Sequence, residues 1–324
     1  MLTLGFPTAK AVVNPYIYDP QIPAAIAGAV VVSLISIFLV YQYLRHRSWF
    51  FWAAIIGIAM EVTGFVCRLI SACNEHNDLP FLIAFLMILL APSFLAAACY
   101  TAFSRIVWFS CPTHALEFKT LWCFPRWITP TFVSFDLFSF LIQLVGASQV
   151  SQYYDTDESQ NRSIEEAEKR MVPGRVILVA GLVLQMCCFL SFSIIAVRYF
   201  FISRQWRGDD LGDWGMWRKL SWMINIAATL ITLRAIYRTM EIPHDKGTGL
   251  QYLQKHEWCF WVFDAIPIFV VLVVFAVWHP GKYLPRSYTG LMLDKGRAVR
   301  EKEEIRPPSV VTETELREFK PNDF

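Results

Sequence analysis

PFLIAFLMILLAPSFLAAACYTAFS, residues 80–104, contains no Asp, Glu, Lys or Arg. An α-helix rises 1.5 Å per residue, so about 20 apolar residues cross a hydrocarbon core of about 30 Å. The stretch reads as a membrane span. Residues 22–44 and 176–197 repeat the pattern, again without a charged residue. One such run could be a helix buried in a globular core; three of them argue against it. Composition agrees. Of 324 residues, 55% are hydrophobic and 17% charged, and mean hydropathy is +0.40. A soluble domain carries about 25% charged residues.

The pattern predicts an all-α polytopic membrane protein with seven transmembrane helices, over 22–44, 49–72, 80–108, 127–149, 174–201, 218–241 and 257–278. The second, fourth, sixth and seventh are interrupted by charges, and they insert if those charges face the bundle interior. Three segments follow: an extracellular N-terminal segment 1–21, a transmembrane domain 22–281, and a tail 282–324. The tail mixes nine Lys/Arg with eight Asp/Glu and holds Pro307–Pro308, so it reads as disordered. Residues 1–21 have no apolar core, which leaves the first helix to act as its own insertion signal.

Charge between the spans sets the direction. Segments on the N-terminal side carry 6 Lys/Arg, and those on the opposite side carry 17. Positive loops stay cytosolic, so the N-terminus is expected outside and the C-terminus, with its tail, in the cytosol. The sequon Asn161-Arg162-Ser163 falls in a loop that this topology exposes, which makes Asn161 a glycosylation candidate. Trp49, Trp52, Trp108, Trp122, Trp127 and Trp278 gather at the predicted inner boundary, as interfacial anchors do.

Several chemistries are disfavoured. All six histidines, at 46, 76, 114, 244, 256 and 279, fall in loops or at predicted helix ends. A zinc hydrolase built in a helical bundle needs a buried histidine cluster. There is no CxxC pair among the eight cysteines, no P-loop, no CxxCH and no nucleophile elbow. Neither metal, cofactor nor enzyme activity is expected. Cys73 and Cys259 both fall near the predicted outer surface, where a disulfide is conceivable. The basic and aromatic stretch WFSCPTHALEFKTLWCFPRW suits anionic lipid better than nucleic acid.

The charges inside the spans are the candidate site. On the sixth helix, Arg234, Tyr237, Arg238 and Glu241 recur at i, i+3, i+4 and i+7, one helical face. Counting 1.5 Å per residue from the ends puts Arg234 and Asp264 at one level, about 10 Å below the outer surface. Arg68 lies level with Arg238. Glu61, Asp136 and Gln185 lie near mid-membrane, with Gln143 seven residues beyond Asp136. Three acids, Glu61, Asp136 and Asp264, thus face three bases, Arg68, Arg234 and Arg238. An unpaired charge at the bilayer centre costs about 2.5–3.5 kcal/mol. The six are expected to pair across the bundle and enclose a polar cavity in its outer half. A purely structural network fixing helix register is the competing reading. Pro92 and Pro267 interrupt the third and seventh helices, as hinges or as static bends.

Eight stretches, in order, resemble a known family: YIYDP at 16–20, EVTGFVCR at 61–68, LLAPSFLAAACYTAFSRI at 89–106, FVSFDLFSFLIQLVG at 132–146, AGLVLQ at 180–185, RAIYRTMEIP at 234–243, HEWCFWVFDAIP at 256–267 and HPG at 279–281. The chain resembles the fungal lipid-translocating exporters, the RTA-like proteins. That resemblance implies seven helices, resistance to toxic or sterol-like lipids, release of sphingoid long-chain bases and, for some members, porphyrin uptake. It implies shared polar positions at Glu61, Arg68, Arg105, Asp136, Gln143, Gln185, Arg234, Arg238, Glu241, Glu257 and Asp264. Membrane lipids are the expected partners, sphingoid bases, sterols or porphyrins among them, and the plasma membrane is the expected site. Two functions remain open: a lipid translocase conferring stress resistance, and a seven-helix receptor or sensor of membrane lipid state.

Overall fold

Each apolar run folds as a helix because, in hydrocarbon, a backbone must satisfy its own N–H and C=O groups. The computed structural model describes residues 21–73, 78–110, 125–157, 164–204, 214–241 and 256–283. They form α1 (Ile22–His46), α2 (Trp52–Cys73), α3 (Asp78–Ser110), α4 (Pro125–Asp157), α5 (Ile164–Ser203) and α6 (Trp214–Glu241). The seventh span, α7 (Glu257–Tyr283), is assembled from Glu257–Phe260, a π-turn Trp261–Ala265, Ile266–Val277 and a last turn Pro280–Tyr283. All seven are long and apolar enough to cross a bilayer. The chain is an all-helical integral membrane protein with seven candidate spans.

Two helices run past the spans read from hydropathy. α4 continues to Asp157 and α5 begins at Ile164, where the sequence suggests a loop over 150–172. Residues 164–171, IEEAEKRM, are strong helix formers whatever their polarity, so helix persists where the apolar pattern stops. Asn161 lies outside the described residues, as do most of 1–21 and residues 284–324.

The helices pack in chain order, and α7 returns to meet α1. α3 is the exception to a simple ring, because it touches α2, α4, α5 and α6. Its buried face is small or aromatic: Ala91, Leu95, Ala98, Tyr100, Ala102 and Phe103 are at most 2% exposed. Tyr100 and Phe103 pack edge-on against Phe192 of α5. Leu34, Ile37 and Phe38 of α1 and Phe135, Leu137 and Phe138 of α4 point outward and are exposed. A soluble monomer does not display so much apolar surface; here acyl chains cover it. Cys73 is exposed, Cys259 is buried, and both are free thiols, so the conceivable disulfide is absent.

The α4–α5 seam is unusually close. A Cβ on Gly146 would sit 2.5 Å from the Leu178 backbone nitrogen, and one on Gly181 would sit 3.0 Å from the Ser139 carbonyl oxygen. A side chain at Gly146 would run into the α5 backbone, and one at Gly181 would have to push α4 and α5 slightly apart. Close approach of this kind is how helices associate in lipid, where apolar surface alone gives no drive.

Candidate functional site

Asp264 is the centre of the charged cluster. It sits in the π-turn of α7, 1% exposed. Pro267 follows three residues later; it has no N–H to give the carbonyl four residues back, and the turn ahead of it opens to π geometry. That turn aims Asp264 at α6. Oδ1 accepts from Arg234 Nε at 2.7 Å and from Arg238 Nε at 2.7 Å. Oδ2 accepts from Arg238 Nη2 at 2.6 Å. Charge-assisted bonds of this length contribute about 1.5–3 kcal/mol each. Arg238 Nη1 also reaches Glu241 at 3.0 Å, and the Tyr237 hydroxyl donates to Glu241 at 3.4 Å.

Arg234 has a further anchor that comes from backbone chemistry. Pro92 sits inside α3. Lacking an N–H, it leaves the carbonyl of Ile88 without its helical donor. Arg234 Nη2 donates to that oxygen at 2.6 Å. The proline creates an acceptor in the apolar interior, and the arginine uses it.

About two turns from this centre, Glu257 ties three helices together. It accepts from the Gln21 backbone N–H at 2.8 Å, from Trp261 Nε1 at 3.2 Å and from Arg68 Nη2 at 3.4 Å. Phe260 lies between two guanidinium groups, with Arg68 Cζ at 3.9 Å and Arg238 Cζ at 5.7 Å from its ring centre. A desolvated cation over a ring gains about 2 kcal/mol.

The pairing differs from the one the sequence suggests. Arg68 pairs with Glu257 rather than with Glu61, Asp136 or Asp264. Asp264 takes both Arg234 and Arg238. Glu61 is 0% exposed, its nearest cation is Arg234 Nη2 at 3.9 Å, and neither of its oxygens has a hydrogen-bond partner among the described residues. Asp136 is not in the cluster at all. Depth counting fixes the level of a residue, not the side of the helix it occupies, and Asp136 faces α3 and α5. The charges pack against one another, and two of them, Arg234 and Arg238, also border a small cavity. The cavity beside them, bounded by Pro92, Gln185, Phe189, Arg234 and Arg238, measures about 20 Å³, room for a water and far too little for a lipid headgroup.

Asp136 belongs to a second, sparser polar track. Its Oδ2 accepts from the Tyr100 hydroxyl at 2.9 Å, while Oδ1 has no partner among the described residues. Toward the Glu257 end of the same track, Gln143 of α4 donates to Gln185 Oε1 at 2.7 Å, and Gln185 in turn donates to the Ser93 hydroxyl of α3. Gln143 and Gln185 are 2% and 4% exposed. Arg105 lies apart from both groups, with its guanidinium over Phe50 at 4.2 Å. Tyr100, Phe260, Trp261 and the Ile88 carbonyl were not singled out by sequence. Aromatics inside apolar helices carry no distinguishing signal. The carbonyl did have one, the proline four residues on.

Comparison with known proteins bears on what these tracks do. The family described as RTA1 like protein matches residues 54–287. A relative named probable lipid transporter atnI, from Emericella nidulans, is 28% identical over 84% of this chain and 68% of its own. Protoporphyrin uptake protein 1 of Saccharomyces cerevisiae is 28% identical over 68% of this chain and 65% of its own. The sphingoid long-chain base transporter RSB1 of the same yeast is 24% identical over 91% and 82%. The chain thus spans about two thirds of the length of the first two relatives. No solved structure matches.

Proposed function

The chain belongs to the RTA1-like protein family, and on that premise we propose that it moves single-chain amphipathic lipids, with sphingoid long-chain bases as the preferred cargo, across or out of the bilayer. The relatives named probable lipid transporter atnI and sphingoid long-chain base transporter RSB1 carry the names of transporters rather than of enzymes. The orientation that fits the charge count is N-terminus out and C-terminus in, with the plasma membrane as the site. Removal of toxic lipid from that membrane would give stress and drug resistance.

Asp136 carries the reading. A sphingoid base presents an ammonium and a hydroxyl to its partner and leaves one alkyl tail in lipid. Asp264 is a poor receptor for that ammonium, because two guanidinium groups already fill both of its oxygens. Asp136 keeps Oδ1 open beside a tyrosine hydroxyl. It sits on α4, the span with the smallest buried share, 28%. Phe135, Leu137 and Phe138 on either side of it face acyl chains. A headgroup can therefore turn inward at Asp136 while its tail stays outside the bundle. Gln143 and Gln185 continue the polar track toward the Glu257 end and can receive the hydroxyls.

The test is flux of a fluorescent sphingoid base in vesicles that contain the purified protein. Asp136→Asn should lower flux about ten- to a hundredfold, the equivalent of one charge-assisted bond, and leave the protein folded. N-acetylation of the base removes the ammonium; wild type and variant should then move it equally slowly. Equal flux of the free base through both proteins refutes the assignment.

A further inference from the structure

The charged cluster balances without Glu61. Arg68, Arg234 and Arg238 are matched one for one by Glu257, Asp264 and Glu241. Glu61 is a seventh group, fully buried, with two unpartnered oxygens. A bare carboxylate enclosed in this way is costly unless it is paired and hydrogen-bonded. Its surroundings leave one way to stabilise the ionised form. Gly57 and Gly64, on either side of it along α2, pack on the α3 backbone between Ile88 and Ala91, where α3 has no titratable side chain. The nearest such groups of α3, Cys99 and Tyr100, lie more than two turns beyond Ala91. Those of α1, from Tyr41 to His46, gather at its far end. From α6 come Arg234 and Arg238, and from α7 come Asp264 and, nearer the helix end, Glu257. On α2 itself, Arg68 is seven residues away and engaged with Glu257.

We propose that Glu61 is a proton-binding site, and that its proton decides whether Arg234 Nη2 is held by the Ile88 carbonyl or by Glu61, while Arg234 Nε stays on Asp264. With the proton bound, Arg234 rests on Asp264 at 2.7 Å and on the Ile88 carbonyl at 2.6 Å, the arrangement seen here. When the O–H bond breaks and the proton leaves to water, Glu61 becomes an anion 3.9 Å from Arg234 Nη2. That nitrogen then turns from Ile88 to Glu61, and α6 loosens from α3. No other bond is made or broken. Arg234 lines the water-sized cavity, so the exchange takes place next to a space a water can enter. Coupled to lipid movement, which rests on the function proposed above, the site supplies the driving force that a chain without a P-loop needs.

Two measurements on the full-length protein in vesicles decide it. The first is an infrared pH titration. A protonated-carboxyl band should respond to pH, shift when the protein is made with carbon-13 glutamate, and be lost in Glu61→Gln. A band that ignores the glutamate label belongs to an aspartate such as Asp136 and overturns the proposal, and this arm needs no variant to fold. Survival of the shifted band in Glu61→Gln overturns it as well. The second is sphingoid-base flux under an imposed pH gradient. Wild-type flux should follow the gradient, and Glu61→Gln flux should not. Wild-type flux that ignores the gradient overturns the coupling. If no base crosses wild-type vesicles, the transport reading fails, while the infrared titration still decides the proton site.

Discussion

The two polar tracks differ in how completely they are satisfied. Around Asp264, two guanidinium groups leave no oxygen of that acid open, and the carbonyl released by Pro92 accepts from one of those guanidinium groups. Around Asp136, the Tyr100 hydroxyl serves one oxygen and the weak donor Cys188 Sγ lies close by, while Oδ1 has no partner at hydrogen-bond distance among the described residues. Burial does not separate them, since both acids are nearly inaccessible. Saturation does. A saturated buried pair is costly to break and has nothing to offer a ligand. An acid with an open oxygen costs stability as it stands, and it recovers that cost when a donor arrives. The first track therefore fastens α6 to α7 like a lock, and the second keeps the open oxygen that the proposed receptor role between α3, α4 and α5 requires.

The contrast can be broken most directly at Asp264. Asp264→Ala leaves two buried guanidinium groups without their common partner, and removing one side of a buried pair costs about 3–5 kcal/mol. Thermal unfolding in detergent should show a large loss of stability, whereas Asp136→Asn should change the same transition little. Equal losses would erase the distinction between lock and receptor. A smaller effect is expected at the seam that positions Asp136. Gly181→Leu forces α5 away from the Ser139 carbonyl and from Gln143. Overpacking of this kind costs about 1–3 kcal/mol, and sphingoid-base flux should fall with it while the Asp264 lock holds. The smallest effect is at Pro92. Pro92→Ala restores an N–H to α3, which competes with Arg234 for the Ile88 carbonyl. Losing that one shared bond should cost about 1 kcal/mol, offset in part by a straighter α3. Amide exchange at residue 92 reports whether the new N–H is bonded.

Much of this architecture was legible in residue order. The spans follow from length and apolarity alone, and except at the end of α4 and the start of α5 the bounds read from sequence fall within a few residues of the helices. Depth counting placed Arg234 level with Asp264, and the two do meet. It placed Arg68 level with Arg238, and both flank Phe260. It could not show that Asp136 faces away from the cluster, because one level of a seven-helix ring holds several faces and rise per residue says nothing of azimuth. Helix past residues 149 and before 174 was missed because hydropathy measures burial in lipid, not helix propensity. Phe260 was invisible for a different reason. An aromatic in an aromatic-rich segment announces itself as a cation partner only once the arginines are placed around it.

The π-turn at Trp261–Ala265 has a mechanical consequence. It accommodates one residue more than an α-helical turn, and one residue of α-helix is about 100° of rotation. If that turn tightened to α geometry, the four residues before it would swing through roughly that angle relative to the rest of α7. Glu257 is among them, and it grips Gln21 and Arg68. Asp264 therefore cannot be reoriented by that route without unfastening the end of the bundle, and a motion that begins at the buried ions must be felt where the first helix enters the membrane.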